Sequence, residues 1–305
     1  MRTSPPVEWV RRLSPATAAT LALVAVTAVW GSTFVLVKDA VARMPVMDFL
    51  TLRFGLAAVV MVALRPRATA RLDSSGWRAG ALLGLALGAG YVAQTAGLQY
   101  TSPTVSGFIT GMFVVFTPVV AAVVLRRPAG PAAWFGVGLA TVGLAVLSLR
   151  GFALGFGETL TLLCALLFAV HIVGLGEWAP RRDSYALAVV QLATVALACA
   201  LIAAPGGLTV PPDLLTWIAV LVTAVFATAV AFVAQTWAQA RLSATRAAVV
   251  MTMEPVFAGI FGVLVAGDEL GARTLVGAAL VLTAMYVVEL SPRRRKAAPI
   301  ERLES

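Results

Sequence analysis

The sequence predicts an all-α polytopic membrane protein, built as ten transmembrane helices in two inverted five-helix repeats. Three observations carry that expectation. The chain is 60% hydrophobic and only 12% charged, with a mean hydropathy of +0.93, which leaves too little polar surface to face water all round. Its apolar residues gather into segments of roughly 20 residues, the length that crosses a hydrocarbon core of about 30 Å. Residues 233–265 also repeat residues 92–124 at a fixed displacement of 141 positions without a gap.

The ten segments run 19–37, 46–64, 77–98, 104–125, 132–149, 157–177, 185–204, 214–238, 244–266 and 273–290. Lipid offers backbone groups no partner, so each crossing must satisfy its own amides as a helix. The first follows Arg11 and Arg12 but continues through Trp30 and Phe34. With nine more segments behind it, a retained helix is expected rather than a signal peptide. Arg65, Pro66, Arg67, Asp73, Ser74, Ser75 and Gly76 make a polar loop before the third segment. Pro205, Gly206, Gly207, Pro211 and Pro212 make another before the eighth. Gly84 with Gly88, and Gly107 with Gly111, have the spacing that lets helices approach closely in a bilayer. Cys164 and Cys199 fall inside segments without metal-site spacing and read as free, buried thiols. Polar tails at 1–18 and 291–305 flank the two repeats, 19–149 and 150–290.

A net charge of +9 raises the question of nucleic acid. The basic residues, however, lie between hydrophobic segments rather than on one contiguous face, which argues against that partner and for topology. With the N-terminus inside, eighteen basic residues fall on the cytoplasmic side and four, Lys38, Arg43, Arg150 and Arg273, on the other. The positive-inside rule then puts both termini in the cytoplasm of a multi-pass cell-membrane protein.

The repeat fixes the architecture further. At the offset of 141, residues 92–95 match 233–236 identically, Ser102 meets Ser243, Thr104 meets Thr245 and Met112 meets Met253. At 138, Trp30 meets Phe168, Thr33 meets His171, Arg43 meets Arg181 and Arg53 meets Gln191. Five crossings per half is an odd number, so the second half enters the membrane from the opposite side. Inverted halves can exchange conformations and so open a shared site to each side in turn, which makes transport the leading hypothesis. The sharpest difference between the copies is at positions 113–114 and 254–255, where Phe113 and Val114 give way to Glu254 and Pro255.

Several stretches resemble one family. Trp30, Gly31, Ser32, Thr33 and Phe34 look like its opening motif. Leu98, Gln99, Tyr100 and Thr101, the run Phe108, Ile109, Thr110 and Gly111, and Met253, Glu254, Pro255, Val256 and Phe257 are similar to its other marks. On these residues, in this order, the chain over 19–290 resembles the EamA-type family of the drug/metabolite transporter superfamily. The resemblance implies a central cavity lined mainly by helices one, three, four, six, eight and nine. It also implies export of small metabolites (amino acids, nucleosides or related compounds) or drugs.

Within that frame the candidate cavity residues are Trp30, Thr33, Tyr91, Gln94, Gly111, His171, Gln235, Met253 and Glu254. Glu254, about ten residues into its segment, is costly as an anion in hydrocarbon and should face a cavity or be protonated. Pro255 lacks an N–H, so the carbonyl of Met251 is freed and the position becomes a candidate hinge. The pair is either a proton or cation site, or a hydrogen-bonded packing residue beside a tolerated kink. His171, the only histidine, is the second coupling candidate, or equally a hydrogen-bonded core residue. Gln94 and Gln235, placed near the ends of segments three and eight on the side away from the cytoplasm, either orient substrate or bind helices together. Arg53 either meets an anionic substrate or snorkels and pairs with Asp48.

No cofactor is called for: there is no Walker motif and no metal-ligand spacing. The expected partners are a small-molecule substrate, the lipid bilayer and protons, with oligomeric state open and a monomer compatible. Two other classes compete. Ser106 before Gly107, with His171, faintly resembles a serine-type intramembrane protease, but an inverted repeat has no role there. A channel needs a selectivity signature that the sequence lacks.

Overall fold

The computed structural model describes residues 14–126, 130–150, 153–179, 182–239 and 250–290. The first half contains α1 (Pro15–Val41), α2 (Val46–Leu64), α3 (Ser74–Leu98), α4 (Pro103–Gly111), α5 (Phe113–Val124) and α6 (Pro131–Ser148). A two-residue antiparallel ladder, β1 (Leu149–Arg150) with β2 (Ala153–Leu154), is a small departure from an all-helical chain. The second half contains α7 (Phe156–Trp178), α8 (Ser184–Ala203), α9 (Leu214–Ala224), α10 (Ala231–Gln239), α11 (Glu254–Ala266) and α12 (Ala272–Leu290). A π-helical stretch, Val225–Val230, joins α9 to α10. Among the described residues seven spans are long and apolar enough to cross a bilayer, and three shorter apolar helices accompany them, Pro131–Leu147, Glu254–Ala266 and Ala272–Val288. The start of the expected ninth segment, residues 1–13 and the tail at 291–305 lie outside the described residues, while residues 15–18, expected in the N-terminal tail, open α1.

Local chemistry sets the helix ends. Ser14 accepts from the Thr17 amide ahead of Pro15, and Ser102 from the Val105 amide ahead of Pro103. Each pair combines an oxygen cap with the residue best suited to the first turn. Asp73, Asp183 and Asp213 cap α3, α8 and α9 in the same way. Gly267 ends α11 in the left-handed region at φ 71°, which lets the next amide, that of Asp268, return to the Gly262 carbonyl.

Small residues decide which helices touch. At Gly84 a β-carbon would stand 2.7 Å from Thr194 Cβ and 2.8 Å from the Gln191 carbonyl, so α3 and α8 pack backbone against side-chain base. Contacts between the halves fall into matched sets: α3 packs on α7 as α9 and α10 do on α1, while α4 and α5 pack on α7 as α11 does on α1. Phe49, Leu50, Phe54 and Leu192 form the centre of one core, and Ile109, Val115, Val281 and Met285 that of the other. Large apolar side chains such as Val59, Leu82, Leu201 and Leu264 stay more than half exposed. So many exposed apolar side chains are a liability in water and are at home in lipid.

Polar loops gather at two opposite ends of the bundle. At one end Arg43 bonds Asp213 at 3.1 Å, the Thr209 amide donates to Asp48 at 3.0 Å, and the Thr104 amide donates to Asp268 at 3.0 Å. There too Lys38 Nζ donates to the Thr101 carbonyl at 2.5 Å and the Thr101 hydroxyl to Glu158 at 2.9 Å. At the other end Arg182 donates to Ser75 at 3.0 Å and Arg71 meets Asp183 at 3.5 Å. At the 138-residue offset Asp213 corresponds to Ser75 and Arg43 to position 181, next to the Arg182 that bonds Ser75, so these two ties come from equivalent segments.

Replacing Gly84 by leucine is expected to destabilise the fold by about 1–3 kcal/mol through overpacking. Gly138, with nothing within 4 Å of its built β-carbon, is expected to accept alanine without loss. Thermal unfolding in detergent of Gly84→Leu and Gly138→Ala separates the two. Asp213 supplies a pH test. The Thr216 amide and hydroxyl, and then Arg43, hold its carboxyl below the ordinary value of 3.8. Its stabilisation is therefore full above that value and fades as pH falls through the lower folded one. The difference in unfolding temperature between wild type and Asp213→Asn is expected to shrink as pH drops from about 6 to about 3; a difference independent of pH would contradict the assignment.

Candidate functional site

Two interrupted spans meet at the junction of the halves. The fourth span breaks at Met112, between α4 and α5, and α11 begins at Glu254 after turns at Thr252 and Met253. Those breaks occupy equivalent registers, 141 positions apart. Each is bridged by a tight turn, Met112 N–H to the Ile109 carbonyl at 3.1 Å and Met253 N–H to the Val250 carbonyl at 3.0 Å. A β-carbon on Gly111 would lie 3.3 Å from Pro255 Cγ and 3.1 Å from Met285 Cε, and one on Gly107 would lie 3.8 Å from the Pro255 Cα. Helices α4 and α11 thus touch at their broken ends, and only small residues permit it. Pro255 stands in the first turn of α11, where its missing N–H costs nothing and its fixed φ suits the start of a helix.

Glu254 opens α11, which packs on α1 and α4. It is half-buried, and among the described residues its carboxyl has neither a hydrogen-bond donor nor an ion-pair partner. Next to it Met253 Sδ accepts from the Tyr286 hydroxyl at 3.7 Å.

Tyr91 is the centre of a second cluster. Its ring meets Phe54 edge-on at 4.8 Å and Phe168 at 5.1 Å. The Arg53 guanidinium lies 4.9 Å from the Tyr91 ring centre and 5.3 Å from that of Phe54, and Arg53 Nε donates to Thr228 Oγ1 at 3.2 Å. Arg53 does not pair with Asp48, which instead receives the Thr209 amide. Thr228 sits in the π-helical stretch, its hydroxyl donating to the Thr223 carbonyl at 2.9 Å. Trp30 Nε1 donates to the Ala227 carbonyl of the same stretch at 2.7 Å, and its ring meets Phe232 at 6.4 Å.

The remaining candidates are bound into the packing. His171 is 6% exposed, and its Nε2 meets Gln191 Oε1 at 2.6 Å. Thr33, its counterpart, is buried and donates to the Trp30 carbonyl at 2.7 Å. Gln94 Nε2 donates to Thr110 Oγ1 at 3.2 Å and Gln235 Nε2 to Met251 Sδ at 3.7 Å, pairs related by the same 141 positions. The glutamines lie toward opposite ends of the bundle rather than on one side: Gln94 precedes the loop that carries Thr101, and Gln235 lies at the far end of the span that begins beside Asp213. Among the described residues Ser106 Oγ is buried without a hydrogen-bond partner, and His171 is held by Gln191, so these two residues form no serine–histidine relay.

Three features escaped the sequence: the break at Met112, the π-helical stretch and the ring around Arg53. The register shared by Met112 and Met253 could have signalled the first; nothing in the apolar run Val225–Val230 announces the second. A cavity of about 400 Å³, lined by Arg65, Pro66, Arg67, Ala68, Arg71 and Asp183, lies at a loop end and contains none of the candidate residues. Among the described residues no cluster of His, Cys, Asp and Glu could hold a metal ion.

A model of the EamA-like transporter family matches the chain twice, over residues 17–149 and 155–290. A protein of Archaeoglobus fulgidus named "Uncharacterized transporter" is 34% identical over 284 residues, spanning 93% of this chain and 88% of its own. A crystal structure covering 89% of this chain and 96% of its own superimposes with a TM-score of 0.64 at 20% identity, a likeness of fold. With two matched halves, interrupted helices meeting between them and a lipid-facing apolar belt, the chain belongs to the EamA-like transporter family, and is a multi-pass membrane transporter rather than an enzyme.

Proposed function

We propose that the protein is a secondary carrier that exports small metabolites, such as amino acids or nucleosides, or drugs, by alternating access between two inverted five-helix halves. The observation that carries this reading is the junction where the broken ends of α4 and α11 meet at Gly111 and Pro255, beside the half-buried carboxyl of Glu254, which has no partner among the described residues. Interrupted helices at the interface of inverted repeats are where carriers place their sites, because half-helix ends offer polar groups that an unbroken helix uses up. Two ends of polar ties related by the repeat support ten crossings and the inversion. Both termini lie in the cytoplasm in this reading, as tails around two repeats, the first of which begins with α1 at Pro15 and ends near 149 and the second of which spans 150–290. The cell membrane is the location, and the end carrying the Arg43–Asp213 pair faces outward.

Glu254 is the proton-coupling group and Pro255 the hinge. Trp30, Thr33, Tyr91, Gln94, Gly111, Gln235 and Met253 line or support the site, with the glutamines acting as ties between the third and fourth spans of each half. His171 is a core residue that positions Gln191 rather than a proton carrier, because its surroundings are sealed and its one assigned partner is an amide.

Counterflow in proteoliposomes tests the carrier. Saturable uptake with trans-stimulation is expected for at least one compound in a panel of amino acids, nucleosides and drugs; linear flux would point to a channel. Glu254→Gln is expected to lower proton-driven uptake about tenfold or more, the scale of losing a charged partner, while expression holds. Unchanged uptake with an unchanged pH profile would reject the coupling role. His171→Asn, which keeps a hydrogen bond to Gln191, is expected to retain the wild-type pH profile; a flattened profile would return His171 to the coupling path.

A further inference from the structure

We propose that the cavity of about 400 Å³ at the end of the bundle opposite the Arg43–Asp213 pair is a binding site for the phosphate headgroup of an anionic phospholipid, held by Arg65, Arg67 and Arg71. It contains none of the residues of the α4–α11 junction, so it is a second site, whatever the carrier moves.

The chain builds the cavity from tight turns that follow α2. The Arg65 amide donates to the Met61 carbonyl at 3.1 Å, the Ala68 amide to the Arg65 carbonyl at 3.0 Å, and the Arg71 amide to the Ala68 carbonyl at 3.2 Å. Ala68 is buried, which pins the loop at its middle while Arg65, Arg67 and Arg71 stay exposed. Pro66 fixes the backbone between the first two of them. The Arg65 guanidinium lies 5.1 Å from the centre of the Tyr185 ring, whose hydroxyl donates to the Met61 carbonyl at 2.7 Å, so α8 and α2 together hold that cation in place. A ring face answers the charge of a guanidinium but none of its N–H donors.

Those donors are left over. Among the described residues the Arg67 side chain has no hydrogen bond or ion pair, and the Arg65 side chain has the ring alone. Arg71 meets Asp183 at 3.5 Å, and Asp183 already receives the amides of Tyr185 and Ala186 on its other oxygen. Three guanidiniums therefore face one engaged carboxylate across a concave space. That excess selects an anion, and phosphate oxygens accept the paired N–H groups that guanidinium edges present.

The flanks of the cavity favour a lipid over a soluble phosphate. Val59, Val62 and Leu64 lead into the loop along α2 with exposed apolar side chains, and Trp77 is exposed in the first turn of α3 after it. Tryptophan at a helix end marks headgroup depth, with the acyl region beside the apolar side chains. The repeat shows that the fold does not require the basic residues. At the 138-residue offset, residues 65–71 correspond to 203–209 at the other end of the bundle, a stretch without Lys or Arg. In the topology proposed above, the arginine-bearing loop is the cytoplasmic one, where the leaflet surface is negative.

The test uses the full chain in dodecyl maltoside micelles and reads binding by native mass spectrometry, with dioleoylphosphatidylglycerol, dioleoylphosphatidylcholine and soluble glycerol phosphate as probes. Wild type is expected to bind phosphatidylglycerol at least about tenfold more tightly than phosphatidylcholine, the scale of two or more arginines beside an anionic head. With Arg65→Gln, Arg67→Gln and Arg71→Gln combined, the two lipids are expected to bind within about twofold of each other. Arg293→Gln, Arg294→Gln and Arg295→Gln combined remove the same charge from the tail and are expected to leave the preference intact. Asp183→Asn keeps a capping side chain for α8 and is expected to tighten phosphatidylglycerol binding about threefold or more, a gain that damage to the loop would not produce. If the triple cavity variant does not fold, Arg67→Gln and Asp183→Asn decide, the first weakening and the second strengthening the binding. No preference in wild type, an unaltered preference without the three cavity arginines, an equal loss in the tail variant, or displacement of the lipid by equimolar glycerol phosphate overturns the proposal.

Discussion

The close approach of α4 to α11 is the constraint on which the rest of the bundle depends. At Gly107 and Gly111 the fourth span has no side chain to hold its partner away, so Pro255 and Ala258 come into direct contact with it. In lipid there is no hydrophobic force to draw helices together, and packing of this kind is what makes them associate. The same contact allows each helix to stop and restart, since a backbone interrupted at membrane depth must be covered by protein. Tight turns at Ile109 to Met112 and Val250 to Met253 take up part of the freed hydrogen bonding. Helix α1 is tied to the pair in turn, because Gly31 leaves room for Phe257 and the backbone of Ala258.

Much of this order is legible in the sequence, and the reason is periodicity over long windows. Hydropathy locates the spans because lipid imposes a length on them, and the unbroken 141-residue offset pairs Gln94 with Gln235 before any contact is known. Their partners, Thr110 and Met251, obey the same offset. What the sequence conceals are choices made by tertiary context. Gly111 beside Met112 and Pro118 about one and a half turns on both weaken the helix, but neither marks Met112 as the place where it is interrupted. By sequence Arg53 either snorkels or meets Asp48, five residues away on the same helix. Asp48 is instead taken by the Thr209 amide from a loop 161 positions distant. Only the folded chain decides that competition.

The polar ties at the two ends of the bundle show how symmetry and difference are divided. Loop pairs such as Arg43 with Asp213 and Arg182 with Ser75 are built by equivalent segments at opposite ends. They are exposed and individually weak, which suits contacts that must break and reform if the halves exchange conformations. The interior ties are of another kind. Trp30 to Ala227, His171 to Gln191 and Tyr185 to the Met61 carbonyl join one helix to another inside the bundle, and such bonds keep each group a single body.

Against that background the two interior charges stand out energetically. A guanidinium placed in hydrocarbon costs from about 2.5 kcal/mol upward, and cation–π contact returns about 2 kcal/mol when desolvated. Arg53, with the hydroxyls of Thr228 and Tyr91 and two rings about it, is near balance, and Glu254, with no assigned partner among the described residues, is worse. Packing alone does not explain either choice, because the repeat itself supplies neutral alternatives that fold: Gln191 stands where Arg53 would be, and Phe113 where Glu254 would be. A carboxyl that the scaffold can do without, placed where the other half is neutral, is better accounted for by the transport cycle than by anything the fold requires of itself.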